Sequence, residues 1–489
     1  MPRLPLAIAM MALLASCSTG SNGAVTTSPS PMATSTVPVT AGETTSTTEV
    51  TPGVSASGVG DSYFPLLGSP GLDVDHYAIT LTTSPDLSAI AAAETVIEAT
   101  ALTDLSVFTL DFVGLEIDAL TVDGTAAEYT RDQEDLVITL PTTIGAGEGF
   151  TVAVEYHGTP ELRLLESIGI EAGWTVVSDG LYVFAEPNAA HTWFPGNDHP
   201  SDKATFTITA TVPDGLVAVS NGELVSESAA GGMATFTWEM DSPMATYLAL
   251  LAVSEYRRVE SEGPGGIILR DYLPVDFGDT VPSSFQRTGE MISLFESWFG
   301  PYPFDRYGHV VVTGFPGAME NQTMSMMGRL ALDESTVAHE LAHQWYGDSV
   351  SPSRWMDVWL NEGFATFAEL LWLEHTEGTA VMTAYASSLH SVLEQTAGAI
   401  SDPGVANLFG ADVYWRGGLT LHALRVEVGD ATMRQILTEY HDRYRYGNAT
   451  TEDFIAVASE VAGRDLGEFI MDWLDARRMP AFPGGPSSG

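Results

Sequence analysis

The stretch that decides the fold of the second half of the chain reads Thr336-Val337-Ala338-His339-Glu340-Leu341-Ala342-His343-Gln344-Trp345-Tyr346. Two histidines four residues apart project from the same face of a helix, so His339 and His343 can share one tetrahedral metal ion. Glu340 lies between them with the reach to take a proton from a water on that metal. The spacing therefore predicts a helical metal centre with hydrolytic chemistry.

A third ligand candidate, Glu362, follows after eighteen intervening residues. Gly347 and Ser351-Pro352-Ser353 favour a turn in between, so a second, antiparallel helix can bring Glu362 to the histidines. Three protein ligands leave one position for water, whereas structural zinc sites are usually closed by four ligands, mostly cysteines. The alternative, two surface histidines beside an unrelated glutamate, requires all three residues to stand at these offsets by chance.

The charge balance is strongly acidic. The chain has 64 Asp and Glu against 19 Lys and Arg, a formal net charge of -45, and Lys203 as its only lysine. Nucleic-acid affinity depends largely on Lys and Arg that displace counterions from phosphates, so this composition excludes nucleic-acid binding. Because there is one cysteine, no intrachain disulfide can form, and a metal site must use histidines and carboxylates.

That single cysteine, Cys17, follows a segment typical of export signals. Residues 4–15 carry no polar side chain, come after Arg3, and are too few to span a bilayer. The sequence Leu14-Ala15-Ser16-Cys17 resembles a bacterial lipobox, which predicts a signal peptide over residues 1–16 and lipidation of Cys17. We then expect a membrane-anchored lipoprotein of the cell envelope or extracellular face. An ordinary signal peptide with an incidental cysteine is the alternative.

The region after the signal segment is poor in residues that could form a core. Between residues 18 and 60, 19 residues are Ser or Thr and none is aromatic. Such a composition buries too little apolar area to offset its ordering entropy. Residues 17–60 are therefore predicted to be a disordered, lipid-anchored linker, and residues 484–489 a disordered tail.

The folded part changes its hydrophobic period once along the chain. Alternating apolar and polar residues, as in 205–212, predict an antiparallel β domain over residues 61–255. Helical periodicity predicts a mainly helical catalytic domain over residues 256–483. The fold class is therefore α+β and multidomain. The helix-like segments are 285–299, 336–346, 361–374, 381–394, 419–427, 431–444 and 451–460.

A second motif, Gly317-Ala318-Met319-Glu320-Asn321, matches the GAMEN signature. Together with His339-Glu340-x-x-His343 and Glu362, the gluzincin arrangement, it resembles the zinc aminopeptidases of the aminopeptidase N and leukotriene A4 hydrolase family. The resemblance runs from about residue 71 to residue 483 and includes Glu186-Pro187 in the first domain. It implies a thermolysin-like catalytic domain, here without the C-terminal helical cap domain that many members carry.

The resemblance implies a catalytic role for each matched residue. His339, His343 and Glu362 would ligate one zinc ion per chain, and Glu340 would be the general base acting on a zinc-activated water. Tyr414 matches the family tyrosine that stabilises the tetrahedral oxyanion, so it would complete the catalytic set.

The implied substrate-binding residues lie in both domains. Glu320 would bind the free α-amino group of a peptide, and Glu186 would add a second acidic group to the same amine. Gly317, Ala318 and Met319 would bind the substrate backbone. From the residues alone, a carboxylate such as Glu320 in a cleft pairs well with an ammonium and sets its distance to the first peptide bond. Small residues beside it leave room for an extended substrate to pair as a strand.

Structural explanations of the same residues stay open at this point. Glu320 could be an ordinary strand-end acid, Glu186 a solvated loop acid, and Tyr414 a packing residue of the helix that follows it. Asp357 and Asn361 are the open candidates for hydrogen-bond partners of the metal-binding histidines.

The sequence thus predicts a zinc-dependent aminopeptidase acting on peptides with a free N-terminus. The alternatives are a thermolysin-type metalloendopeptidase and a catalytically inactive, lipid-anchored peptide-binding protein. An acid at the amine position penalises an internal peptide bond, so Glu320 counts against the first alternative. The presence of Glu340 with all three ligands counts against the second.

Overall fold

The computed structural model describes residues 58–396 and 398–483. Strands build the first half and helices most of the second, which confirms the predicted fold class. The strands of the first half are β1 (Leu72–Thr83), β2 (Ile90–Ala101), β3 (Leu105–Asp111), β4 (Glu116–Val122), β5 (Thr125–Ala126), β6 (Glu128–Asp132), β7 (Asp135–Ile144), β8 (Gly149–Gly158), β9 (Leu162–Leu165), β10 (Ile170–Val177), β11 (Gly180–Phe184), β12 (Lys203–Pro213), β13 (Val217–Val219), β14 (Glu223–Ala230), β15 (Met233–Ala245) and β16 (Ala252–Ser254).

The largest sheet of the first half has eight strands in the order β14-β15-β12-β1-β2-β8-β4-β5. Burial alternates along β12, so that every second side chain faces the core, which is the period-two pattern of a strand with one buried face. One pairing departs from the predicted antiparallel arrangement. β1 runs parallel to β12, as strands joined by a long connection can do.

Two smaller sheets complete the first half, one in the order β3-β7-β6 and one in the order β13-β16-β11-β10-β9. All five residues of β11 are buried, so both faces of this strand are covered. The chain leaves this strand at Phe184, and the buried side chain of Glu186 follows two residues later. The five-stranded sheet therefore carries Glu186 to the contact with the second half.

The second half adds a mixed sheet to its helices. Its strands are β17 (Tyr256–Glu262), β18 (Ile268–Pro274), β19 (Arg306–Val312), β20 (Ala318–Met319), β21 (Ser325–Gly328), β22 (Val350–Pro352) and β23 (Gly447–Ala449). Its α-helices are α1 (Thr288–Phe299), α2 (Glu334–His343), α3 (Trp359–Glu377), α4 (Thr379–Thr396), α5 (Ala411–Val428), α6 (Asp430–Tyr444), α7 (Thr451–Ala462) and α8 (Gly467–Asp475). The order β17-β18-β19-β21-β20 forms one sheet, with β20 at its edge.

Helix α5 begins at Ala411, eight residues before the predicted start at 419. The prediction missed its first two turns because Gly417 and Gly418 lower the helical signal. In the fold these glycines serve a close approach to α3: a Cβ atom on Gly417 would lie 2.7 Å from the Cα atom of Gly363. The two helices can therefore pack almost backbone to backbone.

The folded region begins slightly before the predicted end of the linker. Gly58 donates a backbone hydrogen bond to Gly68 (2.8 Å) and Val59 one to Leu67 (3.0 Å), although both donors fall within residues 17–60. Across the described ranges, no helix combines the length and the apolar composition needed to cross a bilayer.

Candidate metal centre and active site

Helix α2 begins at a defined cap and presents both histidines on one side. The Asp333 side chain accepts hydrogen bonds from the backbone N–H groups of Ser335 (3.1 Å) and Thr336 (3.2 Å), which fixes the first turn. The rings of His339 and His343 follow one turn apart, with centroids separated by 4.8 Å. The two imidazoles lie side by side, as their spacing in the sequence predicts.

Glu362, in the first turn of α3, completes a three-residue cluster. Its Oε2 atom lies 3.1 Å from His339 Nε2 and 3.6 Å from His343 Nε2. All three side chains are buried, and their ligand atoms lie within 4.8 Å of one another. Two imidazole nitrogens and one carboxylate oxygen are a donor set that Zn²⁺ favours, with a position left for water or substrate.

The opposite nitrogens of both rings are held by other groups. His339 Nδ1 lies 2.8 Å from Glu369 Oε1, and His343 Nδ1 lies 3.2 Å from the backbone oxygen of Tyr346. A neutral imidazole donates from one nitrogen only, so donation from Nδ1 turns each Nε2 lone pair toward the cluster. In His339 that lone pair faces the Glu362 carboxylate, and a cation between them would stabilise this arrangement. The residues therefore fit a bound zinc ion.

Glu369 is a site residue that the sequence analysis missed. It follows Glu362 by seven residues, two turns along the same face of α3, and this spacing is the signal that could have identified it. Its Oε2 atom accepts a hydrogen bond from Ser335 Oγ (2.6 Å). The two candidates from the sequence were wrong for this role: Asp357 accepts from an arginine and a threonine, and Asn361 donates to a tyrosine hydroxyl.

Glu340 lies on α2 between the histidines with its side chain only 6% exposed. Burial raises the pKa of Glu340 to about 8, and the charges of Glu362 and Glu369 add to this while His339 opposes it. A divalent cation at the cluster would lower the pKa of Glu340 and favour the ionised carboxylate. Glu340 is thus placed to accept a proton next to the metal-ligand atoms.

Glu320 and Glu186 form the acidic half of the site. An oxygen of each lies within 4.8 Å of the other and of a Glu362 oxygen. Both side chains are buried, and the Oε1 atom of each lacks a hydrogen-bond donor within the described ranges. Burial raises the pKa of both carboxyls well above their ordinary range, and the neighbouring glutamates add to the effect. In their ionised form, these buried carboxylates would be stabilised by a cationic partner.

The strand that leads to Glu320 is accessible along one edge. Within the described part of the chain, β20 (Ala318–Met319) pairs with β21 alone, and Gly317 before it has open space where a side chain would stand. Gln344, the residue after α2, donates from Nε2 to the backbone oxygen of Glu320 (3.0 Å) and accepts from the backbone N–H of Thr323 (2.7 Å). One glutamine, which the sequence analysis did not single out, therefore fixes this strand against the histidine helix.

Tyr414, on α5, lies over the metal-ligand cluster. Its ring is nearly parallel to the imidazole of His339, with an angle of 18° and centroids 5.8 Å apart. Burial raises the pKa of the Tyr414 phenol well above its ordinary value, and the charges of Glu362 and Glu186 act in the same direction. The hydroxyl therefore stays protonated and can donate a hydrogen bond.

The structure brings the predicted site residues of both halves together. They are Glu186, Gly317, Ala318, Met319, Glu320, His339, Glu340, His343, Glu362 and Tyr414. Cys17, the predicted lipidation site, lies outside the described residues.

Comparison with known protein families gives two adjacent matches. Residues 73–248 match the Peptidase M1 N-terminal domain, and residues 283–473 match the Peptidase family M1 domain. The boundary between the two matches falls between the strand-rich half and the histidine helix, so each half of the fold corresponds to one family domain.

Named relatives are aminopeptidases about twice as long as this chain's matching part. Aminopeptidase M1-C of Oryza sativa subsp. japonica is 29% identical over 437 residues, which cover 81% of this chain and 49% of the relative. Leucyl aminopeptidase of Saccharolobus solfataricus is 28% identical over 414 residues, covering 76% of this chain and 50% of the relative. The chain thus spans about half the length of these relatives.

A solved structure is similar over its full length. The M1 zinc metallopeptidase from Deinococcus radiodurans is 32% identical, with a TM-score of 0.81, and the match covers 87% of this chain and 99% of that protein. A variant of that enzyme has been crystallised with a Tyr-Ser-Ala substrate, again at 32% identity and a TM-score of 0.81.

Proposed function

The chain belongs to peptidase family M1, and from that premise we propose that it is a zinc-dependent aminopeptidase that removes N-terminal amino acids from peptides. The observation that carries this proposal is that two groups of side chains meet in one site. A His-His-Glu cluster suited to zinc shares Glu362 with a second group, the buried carboxylates Glu186 and Glu320. The first feature supports hydrolysis, and the second supports recognition of a free amino terminus.

His339, His343 and Glu362 would hold one zinc ion per chain. When bound, the ion would supply Lewis acidity for the scissile carbonyl and lower the pKa of a coordinated water. Glu369 and the Tyr346 carbonyl would keep the two imidazoles in the tautomer that binds through Nε2.

Glu340 would move the proton. Its carboxylate would accept a proton from the attacking water and deliver it to the nitrogen of the departing amine, so one residue serves as base and then as acid. Its buried position on α2 supports this role, because the carboxylate lies beside the metal-ligand atoms.

Glu320 and Glu186 would bind the substrate ammonium. An ammonium supplies the charge and the donors that their buried oxygens lack, and its position fixes which peptide bond reaches the cluster. An internal peptide segment would bury the same carboxylates next to neutral groups. This difference disfavours the thermolysin-type endopeptidase.

Tyr414 would stabilise the transition state. Its protonated hydroxyl could donate to the developing oxyanion, where a fixed donor is worth more than in the ground state. The free edge of β20 would pair with the extended substrate backbone. We take peptides with a free N-terminus as the substrate class, and the Tyr-Ser-Ala bound to the similar enzyme agrees with this.

Turnover of an aminoacyl chromogenic substrate tests the proposal as a whole. Purified protein treated with a chelator should lose activity and retain its circular dichroism spectrum, and stoichiometric zinc should restore turnover. Failure to cleave any aminoacyl substrate in a zinc-loaded, folded sample would support the inactive peptide-binding alternative instead.

We further propose that Cys17 is lipidated and anchors the enzyme to a membrane, facing the cell envelope or the outside. The support is the lipobox-like Leu14-Ala15-Ser16-Cys17 after an apolar segment and before a Ser- and Thr-rich stretch. Such a stretch would act as a flexible tether between the membrane and the catalytic domains.

A further inference from the structure

Residues 58–68 form a closed loop at the contact between the two halves, here termed the junction loop. Its ends are joined by the backbone hydrogen bonds from Gly58 to Gly68 and from Val59 to Leu67. The loop precedes β1 and lies outside both ranges that match the M1 family domains.

Asp61 connects the junction loop to both halves of the molecule. Its Oδ2 atom accepts a hydrogen bond from the backbone N–H of Trp355 (2.8 Å) and lies 3.2 Å from His199 Nε2. Burial opposes ionisation of Asp61, but the hydrogen bonds from His199 and Trp355 hold its pKa at about 2. Trp355 starts a short 3-10 helix directly before α3, which carries Glu362. One end of the loop is thus fixed to the segment that leads into the metal-ligand helix.

Tyr63 connects the same loop to a second segment of the catalytic half. Its hydroxyl donates to Asp402 Oδ1 (2.5 Å) and accepts from the backbone N–H of Gly404 (2.7 Å). The Tyr63 hydroxyl therefore both donates to and accepts from residues 398–410, the segment that leads into α5. Tyr63 and Asp402 are 339 residues apart in the sequence, so this hydrogen bond joins two segments that are distant along the chain.

Residues 398–410 are in turn attached to the first turns of α5. The backbone N–H of Gly398 donates to Asp412 Oδ2 (2.9 Å), and the Arg416 guanidinium donates to the Gly398 carbonyl. Asp412 and Arg416 flank Tyr414 by two residues on either side. A displacement of this segment would therefore act on the part of α5 that presents Tyr414.

We propose that Tyr63 is a positioning residue for the reaction: by fixing residues 398–410, it holds α5 so that Tyr414 stays stacked on His339. The inference rests on the proposed function, because Tyr414 matters here as the oxyanion donor. The described hydrogen bonds of the Tyr63 hydroxyl go to Asp402 and Gly404, outside the His-His-Glu cluster. Its effect passes through Tyr414 and is confined to the transition state, so it changes kcat rather than KM.

The first test compares two neighbouring substitutions in the zinc-loaded full chain. Tyr63→Phe removes only the hydroxyl, and kcat should fall roughly 3- to 30-fold, a part of the 10²–10³-fold loss expected when an oxyanion donor is removed. KM should change less than about twofold and zinc content should be unchanged. Ser62→Ala, at an exposed position of the same loop, should leave both constants as in the wild type.

The second test asks whether the effect passes through Tyr414. In a Tyr414→Phe background, Tyr63→Phe should cause no further loss of kcat, because the donor that it positions is gone. Asp402→Asn keeps an acceptor for the Tyr63 hydroxyl and should retain most activity, whereas Asp402→Ala should resemble Tyr63→Phe. If Tyr63→Phe does not fold, the comparison of Asp402→Asn with Asp402→Ala tests the same contact.

The outcomes separate this inference from the proposed function. The positioning role is overturned if Tyr63→Phe lowers kcat as much in the Tyr414→Phe background as in the wild type. It is also overturned if Tyr63→Phe lowers the melting temperature but leaves kcat unchanged. In both cases the aminopeptidase assignment stands. An inactive zinc-loaded wild type overturns the proposed function, and this inference with it.

Discussion

His339 Nδ1 and Glu369 Oε1 lie 2.8 Å apart, on the side of the imidazole that faces away from Glu362. Glu362 and Glu369 belong to one helix, so α3 both carries the candidate ligand Glu362 and orients the ring of His339, a second candidate ligand. Ser335 holds the second oxygen of Glu369. The geometry of the metal centre thus depends on a carboxylate outside the ligand set.

Glu369→Ala should weaken zinc binding about 10- to 100-fold, since the His339 ring loses the acceptor that fixes its tautomer. Competition with a chromophoric chelator measures the zinc dissociation constant directly. Glu377→Ala removes an exposed acid from the end of the same helix and serves as the matched control. Equal zinc affinities for both variants would show that Glu369 does not contribute to zinc binding.

Glu340→Gln should keep zinc bound and lower kcat by roughly 10²–10⁴-fold, because the amide preserves the shape of the side chain but cannot accept the proton. Metal analysis and steady-state kinetics on one preparation give both quantities. A variant with wild-type kcat would show that another group takes the proton.

The clustering of His339, His343 and Glu362 could be predicted because the spacing rules behind it are local. The separation of His339 and His343 translates directly into one helix face, and Glu362 needs only one turn to return to them. Glu369 obeys the same helical rule, but its spacing from Glu362 is a weak signal on a chain that has 64 Asp and Glu residues. Proximity in the fold, not residue type, gives it a role.

The parts that could not be predicted depend on contacts distant in sequence. The parallel pairing of β1 with β12 joins strands that are separated by more than a hundred residues, and no local pattern specifies its direction. The early start of α5 depends on the close approach of Gly417 to Gly363, which outweighs the low helix propensity of glycine. The proximity of Glu186 to Glu320 could be predicted only from the family resemblance.

Lys203 gives the stability of the protein a testable pH dependence. Its Nζ atom donates to the backbone oxygens of Asp348 (2.6 Å), Ser349 (3.0 Å) and Gly447 (3.4 Å), which joins β12 to the turn after α2. Burial lowers the pKa of Lys203 to about 7. Between about pH 7 and the ordinary lysine value of about 10.5, the unfolded chain therefore binds more protons at this residue than the folded chain does.

This proton difference stabilises the fold relative to a neutral variant as the pH rises. From pH 7 to pH 9, the free energy of unfolding of the wild type should increase relative to that of Lys203→Met by up to about 1.4 kcal/mol per pH unit. Urea denaturation at several pH values measures it. Parallel pH profiles for the two proteins would show that Lys203 titrates normally.

Cys17→Ser should move the protein from the membrane fraction to the soluble fraction without changing kcat, because the proposed anchor acts only through its lipid. Fractionation of cells that express either form, followed by activity measurement, checks this. Equal membrane association of both forms would count against lipidation at Cys17.

Glu320 carries the central claim that the enzyme recognises a free amino terminus. Removing a buried carboxylate leaves its ammonium partner unpaired, which costs about 2–5 kcal/mol of binding free energy. Water that enters the site can offset part of this cost. Glu320→Ala should therefore lower kcat/KM for free-amine substrates by roughly 10- to 10³-fold, at about 1.4 kcal/mol per decade. Zinc content should stay as in the wild type, because Glu320 is not a ligand in the His-His-Glu cluster.

The most direct measurement is the ratio of kcat/KM for an aminoacyl substrate to that for its N-acetylated form, in the wild type and in Glu320→Ala. The account predicts a large ratio in the wild type that falls roughly 10- to 10³-fold in the variant, because only the free-amine substrate loses a partner. If Glu320→Ala cleaves both substrates at wild-type rates, the amine-anchor role is contradicted and the aminopeptidase assignment loses its main physical support.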